Sequence, residues 1–336
     1  MGGDLAPRAA IEGSVAALAE SPCSLILVGD SEIIGRELEG YEIDEDRLRI
    51  VHAEEVVGMD ETAISPIRKK RRSSIRLCAN LVRDGEAQGM FSAGNTGAAM
   101  ISAKMVIGTI EGVDRPALSA VMPTVSGSTL LLDVGANVDS KAEYLRQFAV
   151  MGHSYARLIL DRPSPRIGLL SIGEEKGKGT GLTRQVFKMM ESASLNFVGN
   201  VEGRDVFAGT VDVIICDGFV GNVMIKSAES LAELILHFAR EELGKSWRGK
   251  LAYLLARPAF KRLQNRMDYS EYGAATLLGV KGSCFIGHGR SNAKAMKNSI
   301  VKAAAFSAAD LHGKMRESIA ELHRLENEIL EKKEPV

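Results

Sequence analysis

Six junctions along the chain end an apolar run in residues able to bind anions or move protons. The first, Ser92-Ala93-Gly94-Asn95-Thr96-Gly97, opens a helical pattern. Small residues let a backbone approach an anion, and N–H groups at a helix start favour negative charge. Gly94, Asn95 and Thr96 are therefore candidate phosphate-binding positions, set against a plain turn capped by Asn95 or Thr96. Asp133-Val134-Gly135-Ala136-Asn137 offers an acid and an amide to a substrate oxygen or to a neighbouring loop. In Gly173-Glu174-Glu175-Lys176-Gly177-Lys178-Gly179, glycines surround Lys178, a mobile point charge suited to phosphate or simply solvated. Arg204, within residues 199–205, fits a bidentate phosphate contact or a tie to Glu202 or Asp205. Cys216-Asp217-Gly218-Phe219-Val220-Gly221-Asn222 ends a strand in an acid before glycines open a long helix, which marks Asp217 and Asn222. In Gly287-His288-Gly289-Arg290-Ser291-Asn292, His288 stands at a strand end, a better acid–base position than that of His237 in an apolar helix.

Several chemistries are excluded by pattern. There is no GxGxxG followed by an acid about 20 residues on, so a nicotinamide site is unsupported. The lysine-glycine loop fails the GxxxxGK[ST] spacing, and GxSxG is missing. Cys23, Cys78, Cys216 and Cys284 form no CxxC pair and lack histidines at zinc-ligand spacing; they read as reduced thiols, with Cys216 buried in a strand. No cofactor and no metal are expected.

The elements that must position these junctions follow from periodicity. Near-continuous apolar runs occur at residues 24–29, 48–52, 89–93, 117–122, 129–133, 166–172, 195–198, 211–217 and 283–287. That is the pattern of strands buried on both faces of a parallel sheet. Helical patterns follow several of them, at 96–109, 142–160, 182–192, 222–243 and 292–311, and another begins at Pro7. The alternation predicts a doubly wound, mostly parallel α/β fold, a single two-lobed domain over 1–336 with the six junctions converging at the carboxyl ends of the strands. Bottom-up, this is an α/β enzyme with an anion site, and no substrate is named by it.

With 42 Lys and Arg against 43 Asp and Glu, the net charge is −1, so no global attraction to nucleic acid is expected. No apolar run is long enough to span a membrane, and no signal peptide is evident, which points to the cytoplasm. Residues 244–267 stand out. They contain no acid, and Lys245, Arg248, Lys250, Arg257, Lys261, Arg262 and Arg266 accompany Trp247, Leu251, Leu254 and Leu255 at helical spacing, with Pro258 interrupting. Such a segment suits the surface of an anionic membrane, an acidic protein partner, or an ordinary helix with solvated lysines. A last helix from Lys314 to Lys333 carries Met315, Ile319, Leu322, Leu325 and Ile329 on one stripe, for its own subunit or a partner.

Taken in order, Met1-Gly2-Gly3-Asp4, residues 92–98, Asp114-Arg115-Pro116-Ala117, residues 131–137, 147–152, Gly173-Glu174-Glu175, residues 196–205, 216–222, 268–273 and 288–295 resemble the phosphate acyltransferase family of phospholipid synthesis (PlsX). The resemblance runs through nearly the whole chain. It implies a Rossmann-like α/β/α sandwich similar to isopropylmalate dehydrogenases and phosphate acetyltransferases, without a dinucleotide. It also implies an enzyme making acyl phosphate from acyl-[acyl carrier protein] and inorganic phosphate, for a downstream membrane glycerol-3-phosphate acyltransferase. A cytoplasmic homodimer, peripherally bound to membranes, is the implied state. On that reading phosphate sits at Gly94, Asn95 and Thr96 with Lys178 or Arg204 neutralising charge. Asn137 and Asn222 donate to the thioester carbonyl, and His288 or Asp217 handles a proton. A short strand is implied ahead of Met1-Gly2-Gly3-Asp4, which this sequence does not contain, and Ala274-Ala275-Thr276 stands where the family has Gly-Ala-Pro. The alternatives are a short-chain phosphate acetyltransferase using coenzyme A, a non-catalytic membrane-bound scaffold for lipid enzymes, and, more distantly, a metal-dependent decarboxylating dehydrogenase.

Overall fold

The structure, a computed structural model, describes residues 1–267 and 274–331, the side chains of 264–267 and 325–331 excepted. The 268–273 motif therefore lies outside the described residues. In chain order the elements are α1 (Arg8–Glu20), β1 (Leu25–Gly29), α2 (Ser31–Leu38), β2 (Leu48–His52), α3 (Ser65–Arg68), α4 (Ser74–Arg83), β3 (Gly89–Ser92), α5 (Thr96–Ser102), β4 (Ala117–Thr124), β5 (Gly127–Leu132), α6 (Ala142–Leu158) and β6 (Ile167–Leu170). There follow α7 (Gly181–Glu191), β7 (Phe197–Val201), α8 (Asp205–Ala208), β8 (Val213–Ile215), α9 (Gly218–Gly244), α10 (Trp247–Met267), β9 (Ala275–Leu278), β10 (Ser283–Ile286), α11 (Ala293–Ala308) and α12 (Leu311–Glu331).

Successive strand residues point to opposite faces, and both faces here are apolar. Leu130, Leu132, Val213, Ile215 and Phe285 bury against α6, α7, α11 and α12, whereas Leu131, Ile214, Cys284 and Ile286 bury against α4, α5 and α9. Two cores on two sides of one sheet make a three-layer α/β/α sandwich. In the first core, Phe306 packs edge-on to Tyr155 at 5.2 Å and to Phe285 at 5.1 Å between ring centroids. The α12 stripe chooses its own subunit. Met315 and Ile319 are fully buried in this core, Leu322 packs on it, and Leu325 and Ile329 lie beyond the described side chains.

The eight-stranded sheet runs β3-β10-β9-β4-β5-β8-β6-β7. The pairs β3–β10, β5–β8, β8–β6 and β6–β7 are parallel, as is the separate pair β1–β2. In the middle, however, β10–β9, β9–β4 and β4–β5 are antiparallel. The expected strands are all present, but β9 is an addition. Its four residues, Ala-Thr-Leu-Leu, carry too little periodicity to mark a strand. The consequence is directional. β3, β10 and β4 run one way, and β9, β5, β8, β6 and β7 run the other. The loops expected to converge therefore leave the sheet at two opposite ends.

The strand implied ahead of Met1 has no counterpart among the described residues. Between β1 and β3 lies a cavity of about 1010 Å³, walled by residues 25–28 and 89–92, with Ile75 and Cys78 of α4 and Met296 and Ile300 of α11 among the other residues that line it. Met1 packs at Gly29, and Gly2 backs on Gly94, so the carboxyl ends of β1 and β3 meet at the same loop. A five-residue parallel strand would fill about 17 × 4.8 × 10 Å, or roughly 800 Å³. Joining a Val/Ile-rich segment of that length ahead of Met1 is expected to raise stability by about 2 kcal/mol or more, net of ordering entropy. Denaturant unfolding checks it, with a Gly/Ser segment of equal length giving no gain.

Candidate active site

At one end of the sheet, β5 and β8 deliver Asp133 and Asp217. Asp133 has no exposed surface. Its Oδ1 accepts from the N–H groups of Leu118, Gly135 and Ala136 at 3.0, 3.1 and 3.0 Å. Its Oδ2 accepts from Asn137 N at 2.7 Å and Asn137 Nδ2 at 2.9 Å. Burial pushes this carboxyl up from its ordinary value, and the hydrogen bonds pull it back. Gly221 passes so close that a Cβ there would lie 1.9 Å from Asp133 O. That contact locks the start of α9 onto the 133–137 loop. Asp217 caps α9 by accepting from Val220 N at 3.0 Å. Cys216, expected as a buried strand residue, is buried just past β8, its thiol pushed well up by desolvation.

Asn137 is not placed as a substrate donor. Its Nδ2 bonds both Pro116 O, at 2.8 Å, and Asp133. Asn222 differs: it is exposed on α9, with its side chain against Gly135.

At the other end, four backbone segments meet. Asp4 N donates to Gly289 O at 2.9 Å, and Gly287 N to Ser92 O at 2.9 Å. A Cβ on Gly3 would stand 2.8 Å from Ala93 O, so only glycine fits. Gly94 and Thr96 belong to this group. Asn95 does too, but its side chain is spent: Oδ1 accepts from Ala98 N at 2.9 Å, and Nδ2 reaches Gly58 O, Met59 O and Glu61 O at 3.1, 3.1 and 2.9 Å. Asn95 is thus the clasp of the 58–61 loop. Within that loop Glu61 accepts from Gly58 N and Ser65 Oγ and pairs with Lys70, which holds its carboxyl down at about 2. His288, half exposed, closes a turn with Ser291 N and faces Glu229 of α9.

Lys178 and Arg204 are not brought to Asn95 and Thr96. They follow β6 and β7, six and seven strand positions from β3, which is about 29 and 34 Å at 4.8 Å per strand. They also leave the sheet at its other end. Arg204 pairs there with Glu174 at 2.6 Å and Glu202 at 3.5 Å. The antiparallel strands β9 and β4 are the physical reason, and the single phosphate site expected from all five residues is corrected accordingly. What joins the two ends is α9: Gly218 to Glu229 is eleven residues, about 17 Å of helix.

Beyond Glu229, α9 and α10 form a helical hairpin. Pro258 does not interrupt it; α10 continues through it. Leu231, Leu234, Ile235, Phe238, Leu251 and Leu254 are exposed, and Trp247 and Leu255 are 71% and 76% exposed. Residues 231–267 hold eight Lys or Arg and three Glu, a net +5 on a chain of net −1, Arg266 lying outside the described side chains. Lys245 is tied to Glu241 and Glu242.

Residues 1–314 match the family model described as "Fatty acid synthesis protein". The phosphate acyltransferase of Geotalea uraniireducens (strain Rf4) is 46% identical over 331 residues, covering 98% of this chain and 96% of that protein. The chain belongs to this family. That of Pelotomaculum thermopropionicum is 49% identical over 300 residues, 89% of this chain and 87% of its own. Among solved structures, a phosphotransacetylase from Streptococcus pyogenes superposes with a TM-score of 0.61 at 16% identity, covering 89% of this chain and 91% of its own. EutD phosphotransacetylase from Staphylococcus aureus gives 0.57 at 15%, with 88% and 89% covered. These two share the α/β fold. Two acids of these clusters, Glu61 and Glu229, lie outside the six junctions. The first has no motif; the second lies seven residues after Asn222 on one helix face, a spacing that was legible.

Asn95→Ala is expected to cost about 2–3 kcal/mol of stability through the lost cap and orphaned carbonyls, read by denaturant unfolding. Glu61, depressed from 4.5 to about 2, contributes stability above pH 4.5 that is lost as pH falls toward 2. Glu61→Gln should therefore flatten that part of the stability–pH profile measured by thermal unfolding.

Proposed function

We propose that the chain is a phosphate acyltransferase that moves a fatty acyl group from a carrier-protein thioester to inorganic phosphate, and so feeds glycerol 3-phosphate acylation in phospholipid synthesis. The observation carrying this reading is the near full-length match, 46% over 331 residues, to a protein named phosphate acyltransferase. The glycine-rich meeting of four backbone segments around Gly94, Thr96 and His288 supports it, because bare backbone at a loop cluster suits a small oxyanion.

The chemistry needs no covalent intermediate. A thioester carbonyl is activated, so holding phosphate in line and stabilising the oxyanion suffices. An oxygen of HPO4²⁻ attacks the carbonyl carbon, the C–S bond breaks, and the phosphate proton ends on the thiol sulfur. His288 takes that proton through a neutral ring nitrogen and returns it to the departing sulfur. Thr96 offers a backbone N–H group to phosphate, Gly94 N donates to Ser92 Oγ at 3.3 Å and leaves bare backbone beside it, and Asn95 holds their loop. Asn222, expected as a donor to the acyl carbonyl, stands against Gly135 two turns of α9 before Glu229, about 10 Å of helix from this cluster, so it is not the oxyanion donor here; Asp217 caps its helix. Lys178 and Arg204 lie at the opposite end of the sheet from this cluster, Arg204 paired with Glu174 and Glu202, and take no part in holding its phosphate.

The α9–α10 hairpin is assigned to an anionic membrane surface. Its exposed leucines and net +5 support reversible binding, with about 1 kcal/mol from each basic group near such a surface. No helix among the described residues is long and apolar enough to cross a membrane. The working form is a cytoplasmic homodimer, peripherally associated.

Purified protein, palmitoyl carrier protein and phosphate should yield acyl phosphate, trapped by hydroxylamine, while acetyl-coenzyme A gives none. His288→Ala should lower kcat by about 100-fold or more. Vesicles of anionic lipid should sediment the protein, and Leu254→Glu with Leu255→Glu should abolish that. Activity on acetyl-coenzyme A alone would transfer the reading to a short-chain enzyme.

A further inference from the structure

Among the described residues, α9, which starts at one end of the sheet, meets a loop of the other end through a side-chain pair. Glu229 Oε1 lies 3.5 Å from His288 Nε2. Glu229 is partly buried, with 26% of its side chain exposed. Both partners rest on held backbone. Met224, Ile225 and Ala228 pack α9 onto the second core, so Glu229 stands at the rim of a packed face. The His288 turn is tied to β3 through Gly287 N and closed by Ser291 N.

A carboxylate beside one imidazole nitrogen selects the tautomer with the proton on that nitrogen and orients the ring. With Nε2–H directed at Glu229, Nδ1 becomes the basic nitrogen. The carboxylate also stabilises the imidazolium that exists between taking the phosphate proton and giving it to sulfur. A separation of 3.5 Å is long for a hydrogen bond, but such pairs tighten when substrate fills the site.

We propose that Glu229 is a positioning residue that acts on acyl transfer through His288. This rests on the reading of His288 as the proton carrier. Because α9 is anchored at the Asp133 loop, the position of Glu229 beside the His288 ring is fixed by the packed first half of the helix.

A double-mutant cycle tests it, with kcat, the KM for phosphate and Tm measured for Glu229→Gln, His288→Asn and the pair. Gln keeps helix propensity and shape, so folding is retained. The expected result is a fall in kcat of about 10-fold for Glu229→Gln, with KM within about twofold and Tm unchanged. In the His288→Asn background the Glu229 change should add nothing. Effects that multiply, or a Glu229→Gln enzyme with full kcat beside an impaired His288→Asn enzyme, would overturn the positioning role. A fully active His288→Asn enzyme would instead bring down the assignment of His288 itself, and the role of Glu229 with it.

Discussion

The structure depends on a carboxylate that water does not reach. Desolvating a charge costs several kcal/mol, and a lone buried carboxylate is not tolerated. Asp133 offsets that cost with five hydrogen bonds, four of them from backbone N–H groups. A bond to a charged acceptor is about twice as strong as a neutral one. The price of satisfying Asp133 is geometric: the 133–137 loop must curl around it, and Leu118 of β4 must stay beside it. Gly218 and Gly221 of α9 must come close enough that any side chain would collide. A single satisfied charge thereby aligns a hairpin, a loop and a 27-residue helix.

From that anchor α9 does two jobs. Its first half is packed on the core, sets Asn222 against Gly135 at one end of the sheet and carries Glu229 to His288 at the other. Its second half leaves the core and, with α10, exposes leucines and excess positive charge. Helices are stiff along their axis, so whatever surface holds the hairpin is linked in space to the residues facing the loops. The charge is likewise divided. The hairpin is net positive, and the remainder of the chain carries a net −6, an arrangement that orients a protein toward an anionic surface.

Asn95 illustrates how far local sequence signals reach. Its position after a strand and before a helix pointed correctly to a cap. The same features pointed to phosphate, yet the amide is taken by three carbonyls from residues 58–61. Nothing in residues 92–97 announces that segment, since the partners lie more than 30 positions away. Arg204 behaved alike: the tie to Glu202 was legible locally, and the shorter bond to Glu174 was not.

By itself the sequence determined the elements and their chemistry, because apolar period, caps and glycines act within a few residues. Nine strands, the long helices, the two apolar faces, the basic segment and the family were all available from it, and the exposure of that segment was not. Only the tertiary structure decided which way each strand runs and hence which loops share an end. That outcome turns on β9, four residues whose partners, Leu118 and Phe285, are brought together by backbone pairing rather than by any local preference. Strand direction is a property of hydrogen-bonded neighbours distant in the chain, and a linear pattern carries no record of it.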